Sequence, residues 1–345
     1  MRALILCAGE GTRLRPLTQH LAKPAVPLLN QPMWTYPLFL IESLKPTEIH
    51  VNLHHLPETV RSSFRPYASL LAPLEFHHEE TLLGSAGPLM HLKNSFATEK
   101  PVLLANGDGV VLTKNPRVLL EMWQWHQRSG ALATILGMPM EGAGKDFSAL
   151  WMHRTSKLLT AVGTDSPGAD SLPLHYASIM ILSPYVFSRV HEGVRNIFKD
   201  VLLPARQEGE LVQVFKSEDL QFYETGNLKG LALCHQEMMA LLKTNATQWS
   251  LIDALDRFQP GWRNYQKSGV YRTTPFSHLK AEPEKASDLL LIAKNCKEPT
   301  EKTTLRRKGP SSFYGMDGNY PEVCDGIYWG PIGKALLNEG SLIDF

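Results

Sequence analysis

The 345-residue sequence has few cysteines, almost no excess charge and no long apolar run. Its four cysteines, at positions 7, 234, 296 and 324, form no Cys-x-x-Cys pair, which argues against a zinc site and a disulfide framework. The formal net charge of +1 gives the chain no bulk attraction to nucleic acid or to an anionic membrane. Any site for a phosphorylated ligand must therefore depend on charges that are placed locally.

Membrane and export segments are also missing from the sequence. No apolar run reaches the roughly 20 residues that a membrane-spanning helix needs. The N-terminus shows no apolar stretch followed by a small-residue cleavage site, so no signal peptide is expected. We therefore expect a cytoplasmic protein.

Short apolar runs alternate with helical patterns along residues 1–242. The predicted strands are 2–7, 49–53, 74–78, 101–105, 131–137, 158–162, 178–182 and 211–215. The predicted helices are 33–44, 58–64, 88–96, 116–128, 196–207 and 228–242. This alternation predicts an α/β fold, in which a mostly parallel, Rossmann-like sheet is flanked by helices over residues 1–242.

The pattern changes after residue 242. We predict a linker with a short helix over 243–285 and a small C-terminal domain over 286–345. Two strand-turn pairs, Tyr314-Gly315 and Ile332-Gly333, recur 18 residues apart, which is the length of one coil of a left-handed β-helix. A degenerate β-helix and unrelated β loops are both open for this domain, as is a homo-oligomer formed through it.

The first thirty residues are the most informative part of the sequence. The apolar run at 3–7 leads into the loop at 8–13 (AGEGTR), and Lys23 follows ten residues after Arg13. A buried strand that ends in a glycine-rich loop exposes backbone N–H groups that bind phosphate, and Arg and Lys pair with polyphosphate charge. The loop is not a dinucleotide fingerprint, because Leu14 stands where that pattern needs a third glycine. No Gly-Lys-Ser/Thr closes it as a Walker loop.

The ordered string G-x-G-T-R-L-x-P-L-T, followed by K-P-x-x-P, resembles the signature of the sugar-1-phosphate nucleotidyltransferases, also called nucleotide-sugar pyrophosphorylases. The resemblance covers about residues 1–242. It is nearest to mannose-1-phosphate guanylyltransferase-like and N-acetylmuramate-1-phosphate uridylyltransferase-like members. It implies Mg²⁺-dependent transfer of a nucleotidyl group from a nucleoside triphosphate to a sugar-1-phosphate, with GTP and UTP as the leading donors.

The resemblance also implies roles for individual charged residues. Arg13 is similar to the family's catalytic arginine on the β- and γ-phosphates, and Lys23 to the lysine that bridges the sugar phosphate and the α-phosphate. Asp108, which follows the strand at 101–105, resembles the aspartate of a Gly-Asp element that holds Mg²⁺. Glu224 stands where the family has its second metal-binding aspartate, so its extra methylene changes the reach of that carboxylate.

A second resemblance concerns the nucleobase and the sugar. The segment at 80–88 (ETLLGSAGP) resembles a family element whose small residues let a nucleobase lie against the backbone. A helix start, with Ser85 as the cap and Pro88 in the first turn, is the alternative interpretation. The expected nucleotide-binding residues are Leu6, Ala8, Gly9, Gly11, Thr12, Glu80, Gly84, Ser85, Ala86 and Asn106. The expected sugar-binding residues are Tyr176 and Ser178, the second of which replaces a family glycine.

Two other functions stay open at this point. Glu224, Ser178 and the absence of a lysine from 159–165, where many members have a second one, fit a catalytically weak homologue that binds a nucleotide or nucleotide-sugar and regulates a partner. The same fold could also transfer a nucleotidyl group to a non-sugar phosphate such as phosphocholine. The adjacent histidine pairs at 54–55 and 77–78 are not expected to chelate, because neighbouring strand residues point to opposite faces.

Overall fold

The computed structural model describes residues 1–258, except 16, 20, 30, 96–99, 194, 245 and 247, together with four short strands beyond residue 289. The strands up to residue 258 are β1 (Arg2–Leu6), β2 (Pro27–Leu28), β3 (Gln31–Pro32), β4 (Ile49–Leu53), β5 (Leu74–His78), β6 (Val102–Asn106), β7 (Val110–Thr113), β8 (Ala133–Met138), β9 (Ala149–His153), β10 (Leu159–Gly163), β11 (Ser171–Leu182), β12 (Val212–Lys216) and β13 (Leu220–Tyr223). The strands beyond it are β14 (Leu290–Ile292), β15 (Leu305–Arg307), β16 (Tyr314–Met316) and β17 (Ile327–Trp329).

Seven α-helices lie within the described residues. They are α1 (Thr35–Glu42), α2 (Pro57–Phe64), α3 (Pro88–Ser95), α4 (Val118–Ser129), α5 (Leu203–Gln207), α6 (Leu228–Lys243) and α7 (Leu251–Phe258). Pro37 lies in the first turn of α1, where its missing N–H leaves no helical hydrogen bond unmade. The single helix predicted at 196–207 is instead a π-helical turn, Ile197–Leu202, followed by α5.

The central sheet is mixed and has the strand order β10-β9-β11-β6-β1-β4-β5, with β8 paired to β11 and β12 paired to β8. Strands β6, β1, β4 and β5 run parallel, as do β8 and β12. The long strand β11 runs antiparallel to β6 and β8. Residues 3–6 of β1 are apolar, as expected where both faces of a parallel sheet are covered. The predicted α/β class is confirmed, with β11 as an antiparallel insertion.

The chain divides into two compact units. The first unit comprises residues 1–9, 36–55 and 68–222, and the second comprises 10–35, 56–67 and 223–345. The core of the first unit includes Leu4, Leu104 and Met180, which belong to neighbouring strands of the central sheet. Each unit is thus assembled from three separate stretches of sequence.

The second unit has an aromatic core of its own. The ring of Trp34 stacks on Phe64 with centroids 3.7 Å apart, and Tyr67 packs edge-on against Phe258 at 5.7 Å. The indole N–H of Trp34 donates a 2.8 Å hydrogen bond to Ser63 Oγ, which satisfies its one polar atom. These rings join three distant stretches of the chain into one core.

The predicted C-terminal domain lies mostly outside the described residues. Of the two strand-turn pairs, Tyr314-Gly315 falls in β16 and Ile332-Gly333 is not described. Strand β14 pairs antiparallel with β17, and β15 with β16. The β-helix stays a prediction. Helix α7 lies within the segment predicted to contain a short helix, and no described helix combines the length and apolarity required to cross a membrane.

Candidate functional site

In the first unit, β1 and β6 end side by side at the carboxyl edge of the sheet. Leu6 is in register with Asn106, and the N–H of Gly107 donates a 2.9 Å hydrogen bond to the Leu6 carbonyl. A Cβ on Gly107 would lie 2.6 Å from Cys7 Sγ and 3.0 Å from the Leu6 carbonyl oxygen, so there is no room for a side chain at this position. The parallel pairing therefore brings the predicted residues Leu6 and Asn106 together.

Asp108 follows at the same edge and is half-buried. Burial, followed by the negative charge of Asp108, raises the pKa of the Cys7 thiol well above its ordinary value. The thiol therefore stays protonated and does not serve as a nucleophile. After Cys7 the chain continues through buried Ala8 to exposed Gly9, where a Cβ would meet nothing within 4 Å.

Ser178 lies in β11 beside the turn that follows Asp108. Its φ of +62° is in the left-handed region that favours glycine, and the pairing of β11 with β8 is irregular between Tyr176 and Met180. A Cβ on Gly109 would collide with the Ser178 side chain. The structure thus gives a backbone reason for the glycine that the resemblance places at position 178.

Tyr176 packs into the core of the first unit. Its ring meets Phe198 edge-on at 5.3 Å, and its hydroxyl is buried without a hydrogen-bond partner among the described residues. Burial raises the pKa of this phenol, so it stays neutral. The ring therefore has a packing role in the structure, and its sugar-binding role stays a prediction.

The segment at 80–88 is fixed by a distant stretch of the same unit. Gly84 has a φ of +76°, and a Cβ there would collide with the Arg195 carbonyl oxygen. That oxygen also accepts a 2.9 Å hydrogen bond from the N–H of Ala86. Ser85 Oγ accepts a 3.0 Å hydrogen bond from the N–H of Ile197. Ser85 thus binds the start of the π-helical turn, although Pro88 does begin α3 as the alternative interpretation expected.

A buried polar chain ties this segment to the end of β1, and sequence reasoning missed it. The N–H of Cys7 donates to Asn52 Oδ1 at 2.7 Å, and Asn52 Nδ2 donates to Glu79 Oε1 at 2.8 Å. Glu79 Oε2 accepts a 2.9 Å hydrogen bond from the N–H of Leu83. The neighbouring residue Glu80 is exposed, and its predicted role in nucleotide binding stays a prediction. The available signal was a carboxylate one residue beyond a parallel strand, at the end where such sheets bind ligands.

In the second unit, the glycine-rich loop closes on itself around Gly11. Gly11 has a φ of +61°, and its carbonyl oxygen accepts hydrogen bonds from the N–H of Leu14 at 2.9 Å and from Thr18 Oγ1 at 2.8 Å. A Cβ on Gly11 would lie 3.1 Å from Lys23 Cβ, so the predicted lysine packs against the loop. Thr12 is exposed at the start of a short 3-10 turn, Thr12–Leu14.

The two other predicted charged groups of the second unit meet at Gly226. The N–H of Gly226 donates a short hydrogen bond to Glu224 Oε1. A Cβ on Gly226 would lie 2.7 Å from Arg13 Nη2 and would also collide with Glu224 Oε1. The guanidinium and the carboxylate therefore flank one glycine, which leaves them the room that a side chain would occupy. Both Arg13 and Glu224 are exposed to solvent.

Comparisons with known proteins bear on both units. Residues 2–145 match the family model described as nucleotidyl transferase. The chain is 29% identical over 204 residues to a probable mannose-1-phosphate guanylyltransferase 1 of Oryza sativa subsp. japonica, covering 58% of this chain and 55% of that protein. It is 33% identical over 147 residues to a UTP–glucose-1-phosphate uridylyltransferase of Synechocystis sp., covering 39% and 37%. The chain thus spans about half the length, or less, of these curated relatives.

Solved structures share the fold. A UDP-glucose pyrophosphorylase complexed with UDP-glucose superposes with a TM-score of 0.55 at 15% identity, covering 68% of this chain and 96% of that one. HddC from Yersinia pseudotuberculosis, complexed with GMP-PN, gives a TM-score of 0.54 at 17% identity, covering 68% and 98%. Identities this low establish a common fold alone. Taken together, the family model over residues 2–145 and the curated relatives show that the chain is similar to sugar-1-phosphate nucleotidyltransferases.

Proposed function

We propose that the chain transfers a nucleotidyl group from a nucleoside triphosphate to a sugar-1-phosphate and releases pyrophosphate. The observation that carries the proposal is the arrangement around the opening loop, where Lys23 packs against Gly11 while Arg13 and Glu224 flank Gly226. Two cations and a carboxylate held by close-packed glycines suit a polyphosphate ligand. Relatives described as guanylyl- and uridylyltransferases make GTP and UTP the first donors to test.

The proposed reaction needs no covalent nucleophile on the protein. A phosphate oxygen of the sugar-1-phosphate attacks the α-phosphorus, and the bond from that phosphorus to the α–β bridging oxygen breaks as pyrophosphate leaves. Arg13 is proposed to bind the β- and γ-phosphates and to stabilise the leaving charge, and Lys23 to hold the sugar phosphate against the α-phosphate. Electrostatic stabilisation by positioned cations is the largest expected contribution to the rate.

Asp108 and Glu224 are the carboxylates that we propose to hold Mg²⁺. Their oxygen donors suit this hard cation, which takes one or two carboxylates together with phosphate oxygens and water. The ion, when bound, would neutralise phosphate charge. In the same proposal, the loop at 80–86 and Asn106 hold the nucleotide, and Ser178 shapes the sugar pocket.

A catalytically weak, nucleotide-binding homologue is the second candidate function. Two observations favour it: Glu224 Oε1 accepts the N–H of Gly226, and a serine side chain stands at position 178 in a glycine conformation. The hydrogen bond from Gly226 occupies one of the two Glu224 oxygens that could bind a metal ion. The Ser178 side chain takes up space beside Gly109.

Pyrophosphate release separates the two functions. The 345-residue chain is assayed with each common nucleoside triphosphate and Mg²⁺. The acceptor is mannose-1-phosphate, glucose-1-phosphate or phosphocholine, and a reaction without acceptor is the control. The proposed function expects release that depends on both a triphosphate and a sugar-1-phosphate. Nucleotide binding by calorimetry without release for any acceptor would favour the regulatory homologue, and release with phosphocholine alone would assign a non-sugar acceptor.

A further inference from the structure

Three side chains that offer metal-ligand atoms meet on one face of the β4–β5 pair, and none of them has a role in the proposed nucleotidyl transfer. His50 is in register with Glu75, and His77 lies two residues further along β5 on the same face. His50 Nδ1 lies 2.9 Å from His77 Nε2 and 3.7 Å from Glu75 Oε2, and all three ligand atoms lie within 4.8 Å of one another. The three candidate ligands thus come together across two strands, in an arrangement that differs from the adjacent histidine pairs considered in the sequence.

We propose that His50, His77 and Glu75 form a binding site for a first-row transition-metal dication such as Zn²⁺. Zinc binds imidazole nitrogen and carboxylate oxygen at 2.0–2.2 Å, so two ligand atoms in a tetrahedral site are about 3.4 Å apart. The 2.9 and 3.7 Å separations bracket that value, which means that small side-chain rotations suffice. Two nitrogens and one oxygen suit Zn²⁺ and do not suit Mg²⁺, which prefers oxygen alone.

The second ring nitrogen of His50 faces a carboxylate. A metal ion at Nδ1 requires the proton on Nε2, and Glu48 Oε2 lies 3.9 Å from that nitrogen, just beyond hydrogen-bond distance. A small shift of Glu48 towards this nitrogen on metal binding would fix the tautomer, as second-shell carboxylates do for metal-binding histidines.

The packing around the three side chains also favours a defined site. Glu48 forms an ion pair with Arg2 at 3.6 Å, and Glu75 is the carboxylate that would bind the ion itself. The ring of His77 stacks on His91 of α3, with centroids 5.4 Å apart, which holds the imidazole in place. His50 is fully buried and Glu75 is exposed, so an ion would enter from the side of Glu75.

Metal titration of the 345-residue chain tests the site. Chelator-treated protein in saturating Mg²⁺ is titrated with Zn²⁺ by calorimetry and with Co²⁺ by its ligand-field absorption. We expect one tight Zn²⁺ for the wild type and an affinity loss of about 100-fold or more in His77→Gln, beyond the 10- to 100-fold cost of second-shell changes. His78→Gln is the matched control, because its side chain lies on the opposite face of β5 and is exposed.

Thermal melting gives a second readout that is independent of activity. Zn²⁺ should raise the Tm of the wild type and of His78→Gln, and should leave that of His77→Gln unchanged. If His77→Gln does not fold, Glu75→Gln takes its place, because Glu75 is exposed. Zn²⁺ should then leave the Tm of Glu75→Gln unchanged. Wild-type protein that binds no Zn²⁺ under these conditions, or His77→Gln and Glu75→Gln that bind it as tightly as His78→Gln, would overturn the proposal.

Discussion

The side-chain amide of Asn52 donates a 2.8 Å hydrogen bond to the carboxylate of Glu79, and each residue is only 2% exposed. In the wild type both carboxylate oxygens of Glu79 accept hydrogen bonds, and Glu79→Gln replaces one of them with an amide NH₂ group that cannot accept. Either the Asn52 amide or the N–H of Leu83 therefore loses its partner. We expect this to lower the free energy of unfolding by about 1–3 kcal/mol in urea titrations. Glu80→Gln, its exposed neighbour, should stay within about 0.5 kcal/mol of the wild type, and equal effects of the two would count against the buried chain.

Arg13 is predicted to be needed for turnover. Arg13→Ala should lower kcat/KM for pyrophosphate release by roughly 10²- to 10³-fold, because a positioned donor to the leaving group is lost. Arg15→Ala is the control, since Arg15 is exposed two residues away. A similar loss in both variants would mean a general charge effect on nucleotide binding.

The glycine beside Arg13 extends this prediction. Gly226→Ala puts a methyl group 2.7 Å from Arg13 Nη2, so it should lower kcat/KM in the same sense. The Arg13→Ala/Gly226→Ala double variant should then be less impaired than the product of the two single effects. Additive losses would show that Gly226 acts independently of the guanidinium.

Asp108→Asn should separate turnover from nucleotide binding. The amide keeps the size of the side chain but removes the charge that is proposed for Mg²⁺, so kcat should fall by at least about 100-fold. The nucleotide affinity, measured by calorimetry, should fall much less. Normal turnover in this variant would remove Asp108 from the proposed metal site.

The burial of His126 leads us to expect that the protein loses stability in acid. Its ring is 5% exposed and lies 2.7 Å from Thr134 Oγ1, and burial lowers its pKa from 6.5 to about 4. The unfolded chain therefore binds an extra proton between these values, so stability is complete above about pH 6.5 and is lost as the pH falls, by up to about 3 kcal/mol. Urea midpoints at pH 7 and 4.5 should differ less in His126→Gln than in the wild type. An unchanged difference would assign the acid sensitivity to other groups, such as His50.

Sequence reasoning located the ends of strands better than the partners of side chains. The position of Asn106 beside Leu6 follows from the rule that parallel strands end at one edge of a sheet, and it was predictable. The Asn52–Glu79 bond depends on the register of β4 against β5, and the Ser85–Ile197 bond joins residues 112 positions apart. Neither leaves a periodic trace in the sequence. For the same reason, the burial of the Tyr176 hydroxyl could not be predicted from the sequence, and the sugar-binding role of this residue stays a prediction.

The two units are interleaved along the sequence, which limits how the chain can be divided into fragments. The polypeptide passes from one unit to the other at 9/10, 35/36, 55/56, 67/68 and 222/223. No single cut yields either unit as an intact fragment, because each would lack stretches that the other piece carries. Excised halves should therefore express poorly or misfold. Circular permutation or point substitution of the whole 345-residue chain is better suited to assigning a function to each unit.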